Sequence, residues 1–272
     1  MNLPACAMSV LPMFRPVFST PTYHRFLILV LAAVLTTGRR TVSNLLRTVR
    51  YQTSGHVSSY HRVFSQRQWS TWALARTLIT YLLDRVVPPG PVLLAGDDTV
   101  TEHPGPKVFG KGRPRDGVRS THSYTAYHWG HRWVVISMRV KWPFSARPWA
   151  LPIWVALYRP PEWDRLHGRR HQTPAHLARL LLARLMRWFP RPHFIFVGDS
   201  GDGTSETARF CRKRRRPLTL VSKVYGDAAL YAPPPPRTRR TIGRPRIKGQ
   251  KLASPHEVTA NTAKRIGLTV AW

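Results

Sequence analysis

A chain of 272 residues, 43% of them hydrophobic, has room for one large domain or two modest ones with a real core, and its ten Trp, nine Tyr and ten Phe exclude general disorder. Against 43 Lys and Arg stand only 12 Asp and Glu, so the net charge is +31, which repels itself unless something anionic neutralises it. Nucleic acid is the expected partner, although charge alone identifies a polyanion binder and says nothing of catalysis.

Cys6 and Cys211 stand far apart in unlike contexts and make neither a metal pattern nor a disulfide framework, so a reducing cytoplasm is the expected setting. The apolar stretch FLILVLAAVL (26–35) has ten residues, short of the ~20 a membrane helix needs, and it starts too late for an ordinary signal peptide. It reads as a buried helix, and no membrane association is expected.

In chain order, residues 1–90 read as a helical N-terminal domain. Helical stretches at 20–38, 41–50 and 58–65 precede STWALARTLITYLLDRV (70–86), where Trp72, Leu74, Ala75, Leu78, Ile79, Leu82 and Leu83 recur at three- and four-residue steps. Ser70 suits its N-cap, and Pro88-Pro89-Gly90 its stop. These helices predict either a DNA-binding unit of helix-turn-helix type or an ordinary packing layer, since no recognition helix stands out.

From Pro91 the pattern changes to strands. PVLLAG (91–96) is apolar on both faces, as a buried central strand would be. A long Gly/Pro/Arg-rich loop leads to two β-rich runs, 131–142 and 149–159, joined by a hairpin-like PFSARP. Thr173 as N-cap and Pro174 at the first position open a helix with Leu177, Leu181 and Leu185 on one face, and Pro190 ends it. HFIFVG (193–198) is a further buried strand, GTSETARFCRKR a short helix and LTLVSKVY (218–225) a fifth strand. Residues 227–272 read as a basic, proline-rich arm or loop, and RIGLTVAW (265–272) as the start of a strand.

The expected fold is therefore α/β: a mixed sheet of three antiparallel strands, helix, strand, helix and strand, in ribonuclease-H-like order, forming a core over 91–226. The right-handed crossover rule makes the first and fourth strands parallel neighbours, ~4.8 Å apart. Acids at their shared carboxyl ends then converge: Asp97 and Asp98 after the first, Asp199 after the fourth. Side-by-side carboxylates repel unless a cation lies between them, and Mg²⁺ or Mn²⁺ takes such oxygen ligands. A pair of ions ~3.5–4 Å apart activates a water or 3′-hydroxyl and stabilises the leaving oxygen of a phosphodiester. A single Asp after a strand is also a common turn or N-cap residue. Asp97 and Asp98 face opposite ways along a strand, so only one of them points easily into a shared site.

The stretches LLAGDDTVTEHPG…KVFGKG and FIFVGDSGDG, with LTLVSKVYGDAALYAPPP, GRPRIKGQKLASP and the helical TVSNLLR…YHRVFS…W, resemble the DDE transposases of bacterial insertion sequences over most of the chain. The resemblance implies a DNA transposase that hydrolyses phosphodiesters and transfers strands at insertion-sequence ends with two metal ions. It implies Asp98, the acid before Thr99, as first metal ligand and catalytic acid, and Asp199 as second, with Asp97 a neighbour and not a ligand. It also implies Mg²⁺ or Mn²⁺ as cofactor, double-stranded DNA as partner, a homodimer or larger assembly, and work in the bacterial cytoplasm on the nucleoid. The family's third acid, a Glu on a helix after the fifth strand, has no clear counterpart here. Past that strand remain Asp227 and Glu257, the latter in SPHEVTANTAKR without an apolar face. The expectation is a chain shortened before its third acid. Glu206 is expected to be a solvent-facing charge or first-turn dipole partner.

Phosphate contacts are expected from Lys107, Lys111, Arg113, Arg115 and Arg119, which follow the first acid and overhang its edge, and from Arg244 and Arg246 in a second copy of the GRPR tetrapeptide. RFCRKRRR (209–216) is a further cationic cluster or simply a solvated face. His103, His122, His128 and His131 lack zinc-ligand spacing. Two other functions fit part of this pattern. A non-catalytic basic DNA-binding protein would need only the charge, and a free-standing ribonuclease-H-like nuclease would need its remaining acids within the chain.

Overall fold

The computed structural model describes residues 5–103, 105, 107–117, 119–121, 123–199, 201–213, 218–238 and 242–262. His122, Arg214 to Arg216 and the strand start expected over 265–272 lie outside the described residues.

Helices α1 (Ala5–Val10), α2 (Thr20–Leu35), α3 (Val42–Thr48), α4 (Ser58–Ser65) and α5 (Thr71–Arg85) occupy the first part of the chain, with a 3-10 turn over Leu11–Val17. Ile28, Leu29 and Ala32 of α2 pack on Leu45 and Leu46 of α3 and on Tyr60 and Val63 of α4. The apolar run 26–35 is thus buried along one side, while Val34 is 77% exposed. Among the described residues no helix is long and apolar enough to cross a membrane. Ser70 caps α5 by accepting from the Ala73 N–H at 3.2 Å. The periodic stripe then delivers Ala75, Ile79 and Leu82 to the main core. Trp72 departs from that stripe: it stays half exposed, its ring edge-on to Trp154 and Trp188.

After α5 come β1 (Val92–Glu102), a two-residue hairpin of β2 (Arg115–Asp116) and β3 (Ala126–Tyr127), β4 (Gly130–Val140) and β5 (Trp149–Tyr158). Short α6 (Pro161–Leu166), α7 (Pro174–Trp188), β6 (Phe194–Gly198), α8 (Ser205–Arg212), β7 (Thr219–Ser222) and exposed α9 (Pro255–Asn261) follow. Five strands form one mixed sheet in the order β5-β4-β1-β6-β7. β1 runs antiparallel to β4 and parallel to β6, and β7 is parallel to β6. One face carries the core, in which Leu94, Val134, Ile136, Met138 and Phe196 meet Leu177, Leu181, Leu182 and Leu185 of α7. Thr173 caps α7 through the His176 N–H.

Three expectations need correction. β1 does not stop before its acids. It continues to Glu102 because Thr99, Val100 and Thr101 are β-branched and the whole stretch is laddered to β4. Nor is β1 buried on both faces, since Leu93 and Ala95 are only half-buried beside Val197, which is 38% exposed. β7 is short and ends at Ser222, so residues 223–225 are outside the sheet. Beyond it the basic arm doubles back on itself, Tyr231 bridging to Lys251 and the Ala232 N–H donating to the Gln250 carbonyl.

Candidate active site

Where β6 ends, the sheet loses a neighbour. The parallel register runs from Val92 opposite Phe194 to Ala95 opposite Val197, after which β1 goes on alone with β4. The step opens a cavity of about 820 Å³, lined on one side by Asp97 and Asp98 and on the other by Asp199 and Asp202. Both acids expected to converge, Asp98 and Asp199, thus face one space despite their separation in sequence.

Each is held differently. Asp98 is half-buried in a laddered strand, opposite Val134, and its Oδ2 accepts from the Arg132 Nη2 two residues along β4. Asp97, the neighbouring residue on the strand, lines the same cavity, is exposed, and its Oδ1 accepts from the Asp98 N–H at 2.8 Å. Asp199 lies in the loop after β6. Its Oδ1 accepts from the Gly201 and Asp202 N–H groups at 2.8 and 3.1 Å, and its carbonyl accepts from the Ser222 hydroxyl at 2.6 Å. Thr204 then caps α8.

Asp202 is the residue that sequence reasoning missed. Its side chain lies against two glycines just past the last β1–β6 pair, Gly96 and Gly198. A Cβ on Gly198 would come within 2.5 Å of the Asp202 Cβ, and one on Gly96 would meet the Phe196 ring at 2.4 Å and the Asp202 Oδ2 at 3.0 Å. Burial, reinforced by the neighbouring Asp199, Asp98 and Asp97 carboxylates, pushes its pKa up to about 6. The available signal was the DSGDG spacing, in which the turn closed by Asp199 returns the acid three residues on to the strand end.

The donor set is hard oxygen, the chemistry that Mg²⁺ or Mn²⁺ takes. Against this, Arg132 already engages Asp98, and among the described residues no three His, Cys, Asp or Glu side chains are gathered closely enough to hold one ion. Asp98 and Asp199, with Asp202 beside them, offer hard-oxygen donors on the wall of one cavity. Past β7, Asp227 and Glu257 do not line the cavity. Glu257 closes a capping box on α9 with Ser254, and the hydrogen bonds from Ser254 lower its pKa. Glu206, in the first turn of α8, pairs with Arg179 at 3.1 Å and is mostly exposed.

The expected phosphate contacts separate into groups. Arg115 lines the acidic cavity. Lys111 and Arg113 line a second cavity next to it. Arg119 is turned onto Glu102 at 2.6 Å, and Lys107, Arg244 and Arg246 are exposed and line neither cavity. Among the histidines, His131 donates to the Phe109 carbonyl at 2.7 Å, His103 packs against the His131 ring, and His128 sits between Glu102 and Asp116.

A family model described as DDE superfamily endonuclease matches residues 13–272. Among solved structures the chain is similar to piggyBac transposase in the cryo-EM structure of its synaptic complex with hairpin DNA, at 12% identity and a TM-score of 0.38. That match covers 91% of this chain but only 46% of the other. No curated protein matches the chain.

Proposed function

The chain belongs to the DDE superfamily endonuclease family, and from that premise we propose that it is a DNA transposase of bacterial insertion-sequence type whose paired catalytic carboxylates are Asp98 and Asp199. The observation that carries this is the single cavity that both acids line, at the step where β6 ends and β1 continues. The strand order supports the ribonuclease-H-like reading of the core over 91–226. Residues 1–90 are proposed as a helical DNA-binding part, and 227–272 as a basic arm.

Asp98 and Asp199 would hold Mg²⁺ or Mn²⁺, with Asp202 on the same cavity wall. The ion would supply charge for activating a water or 3′-hydroxyl and for stabilising the leaving oxygen of a phosphodiester. The chain's own residues do the rest. The pleat of β1 aims Asp98, and the turn after β6 aims Asp199. Arg115 at the cavity wall attracts the anionic strand, and Arg132 holds the Asp98 carboxylate in its rotamer. Among the described residues no acid from beyond β7 lines the cavity, so the proposed chemistry rests on Asp98, Asp199 and Asp202.

A second reading has its own support. The Arg132–Asp98 pair and the lack of a three-acid cluster among the described residues favour a basic DNA-binding protein that has lost cleavage. Cleavage of an end-labelled duplex, titrated with Mg²⁺ and Mn²⁺, decides between them. For the enzyme, Asp98→Ala and Asp199→Ala each lower the cleavage rate by roughly 10³-fold, a loss of several kcal/mol of metal charge stabilisation, and leave duplex binding intact. Unchanged cleavage in both variants would remove the assignment. Salt-sensitive binding without metal-dependent cleavage would establish the second reading.

A further inference from the structure

Beside the acidic cavity lies another of about 550 Å³, and Arg132 lines both. Its character is different. Where the first is walled by carboxylates, this one is walled by the rings of Trp129, Tyr158 and Trp163, with Lys111 and Arg113 at its margin. Trp163 is fixed from behind by the edge of Phe109, ring centroids 4.8 Å apart, and carries Arg159 and Arg169 at 5.4 and 5.9 Å from its centroid. Tyr158 lies under the Arg132 guanidinium at 5.9 Å. Internal packing accounts for these two rings. It does not account for Trp129, which is 58% exposed with the Lys111 ammonium 5.1 Å from its centroid.

An exposed indole face with cations around it suits a ligand that has a flat π-face and an anionic backbone, the combination found in an unpaired nucleotide. Charge complementarity commits the groove to nucleic acid, since the chain carries +31 and this groove gathers Lys111, Arg113 and Arg132. The one carboxylate on the wall, Glu162, repels phosphate and can accept from an exocyclic amine, so it orients a strand with its backbone toward Lys111 and Arg113. Because Arg132 is a common wall, the two cavities adjoin, and a strand held in the acidic one passes this groove in the proposed binding mode. We propose that the groove takes one unpaired nucleotide of the DNA strand held at the acidic cavity, its base stacked on Trp129. This rests on the DNA reading given above.

The test uses the full chain and two probes of the same sequence, a fully paired duplex and a duplex with a short single-stranded flap carrying 2-aminopurine. Wild type should bind the flap probe more tightly and change the 2-aminopurine emission. Trp129→Ala should weaken flap binding about tenfold, the scale of one lost base–aromatic stack, and leave duplex affinity and the salt slope unchanged. Trp129→Phe should restore most of the loss, and Lys111→Ala should lower the salt slope by about one charge. Trp163→Phe, which keeps a ring in place, guards against a variant that misfolds, with melting curves run for all. The proposal is overturned if Trp129→Ala binds the flap as wild type does, if it weakens flap and duplex equally, or if free dAMP competes as well as the flap. If wild type binds neither probe, the DNA reading itself fails. If it binds and cleaves duplex but ignores the flap, only this inference falls.

Discussion

Asp98 and Asp199 reach one cavity by opposite means. Asp98 sits inside a strand laddered to β4 over nine residue pairs, so the pleat decides where its carboxylate points, and Arg132 on the neighbouring strand takes one oxygen. Asp199 has no ladder. It lies past the last paired residue of β6 and is oriented by backbone N–H groups of its own turn. One acid is therefore an attribute of the sheet and the other an attribute of a loop, and the two should respond to different perturbations.

The largest expected effect comes from disturbing the sheet side. Gly96→Val puts a branched side chain where a Cβ alone would lie 2.4 Å from the ring of Phe196, which is completely buried. Overpacking of this kind costs about 1–3 kcal/mol, so the melting temperature should fall by roughly 2–10 °C. Differential scanning fluorimetry reads this directly, and an unchanged melting temperature would mean that Phe196 does not close over β1. At Gly198 the obstacle is the Cβ of Asp202 in a loop, so Gly198→Ala should cost less stability and act mainly by dislodging that acid.

The next effect reports on the ground between the two sides. Asp202, pushed up to about 6 by burial and by Asp199, Asp98 and Asp97, binds its proton more tightly folded than unfolded, where an Asp titrates near 4. Its contribution to stability is therefore fully present below about pH 4 and is lost as pH rises through about 6. Its carboxylate is only half-buried, so solvent screening keeps the effect modest. Asp202→Asn should flatten that decline in denaturant midpoints between pH 4 and 6. A decline as steep as in wild type would mean that the acids do not share a field.

How far the sequence foretold this arrangement follows from the same contrast. Features fixed by a local pattern were legible: the β-rich run 131–142, the Thr173-Pro174 start of α7, the capping Ser70 of α5, and the apolar run that ends at Asp199. Features that depend on what lies across the sheet were not. The continuation of β1 through Asp97 and Asp98 is decided by β4, and two adjacent acids read locally as the end of a strand. The Arg132 pairing with Asp98 needs the antiparallel register. Asp202 needs the turn after β6 to fold back over Gly96 and Gly198. The groove around Trp129 joins residues of three separate segments, 110–114, 129–132 and 158–166, which only the fold brings together.

The smallest effect is expected at the one contact that ties the loop acid back to the sheet. The Ser222 hydroxyl on β7 donates to the Asp199 carbonyl at 2.6 Å. Ser222→Ala removes a single exposed hydrogen bond, at the low end of about 0.5–1.5 kcal/mol, so the melting temperature should move by about 2 °C or less. The carboxylate itself should hardly move, because its Oδ1 still accepts from the Gly201 and Asp202 N–H groups. Metal-dependent cleavage should then stay within about threefold of wild type, equivalent to roughly 0.6 kcal/mol. If Ser222→Ala instead lost as much activity as Asp199→Ala, the turn could not be what holds Asp199, and both acids would have to be counted as positioned by the sheet.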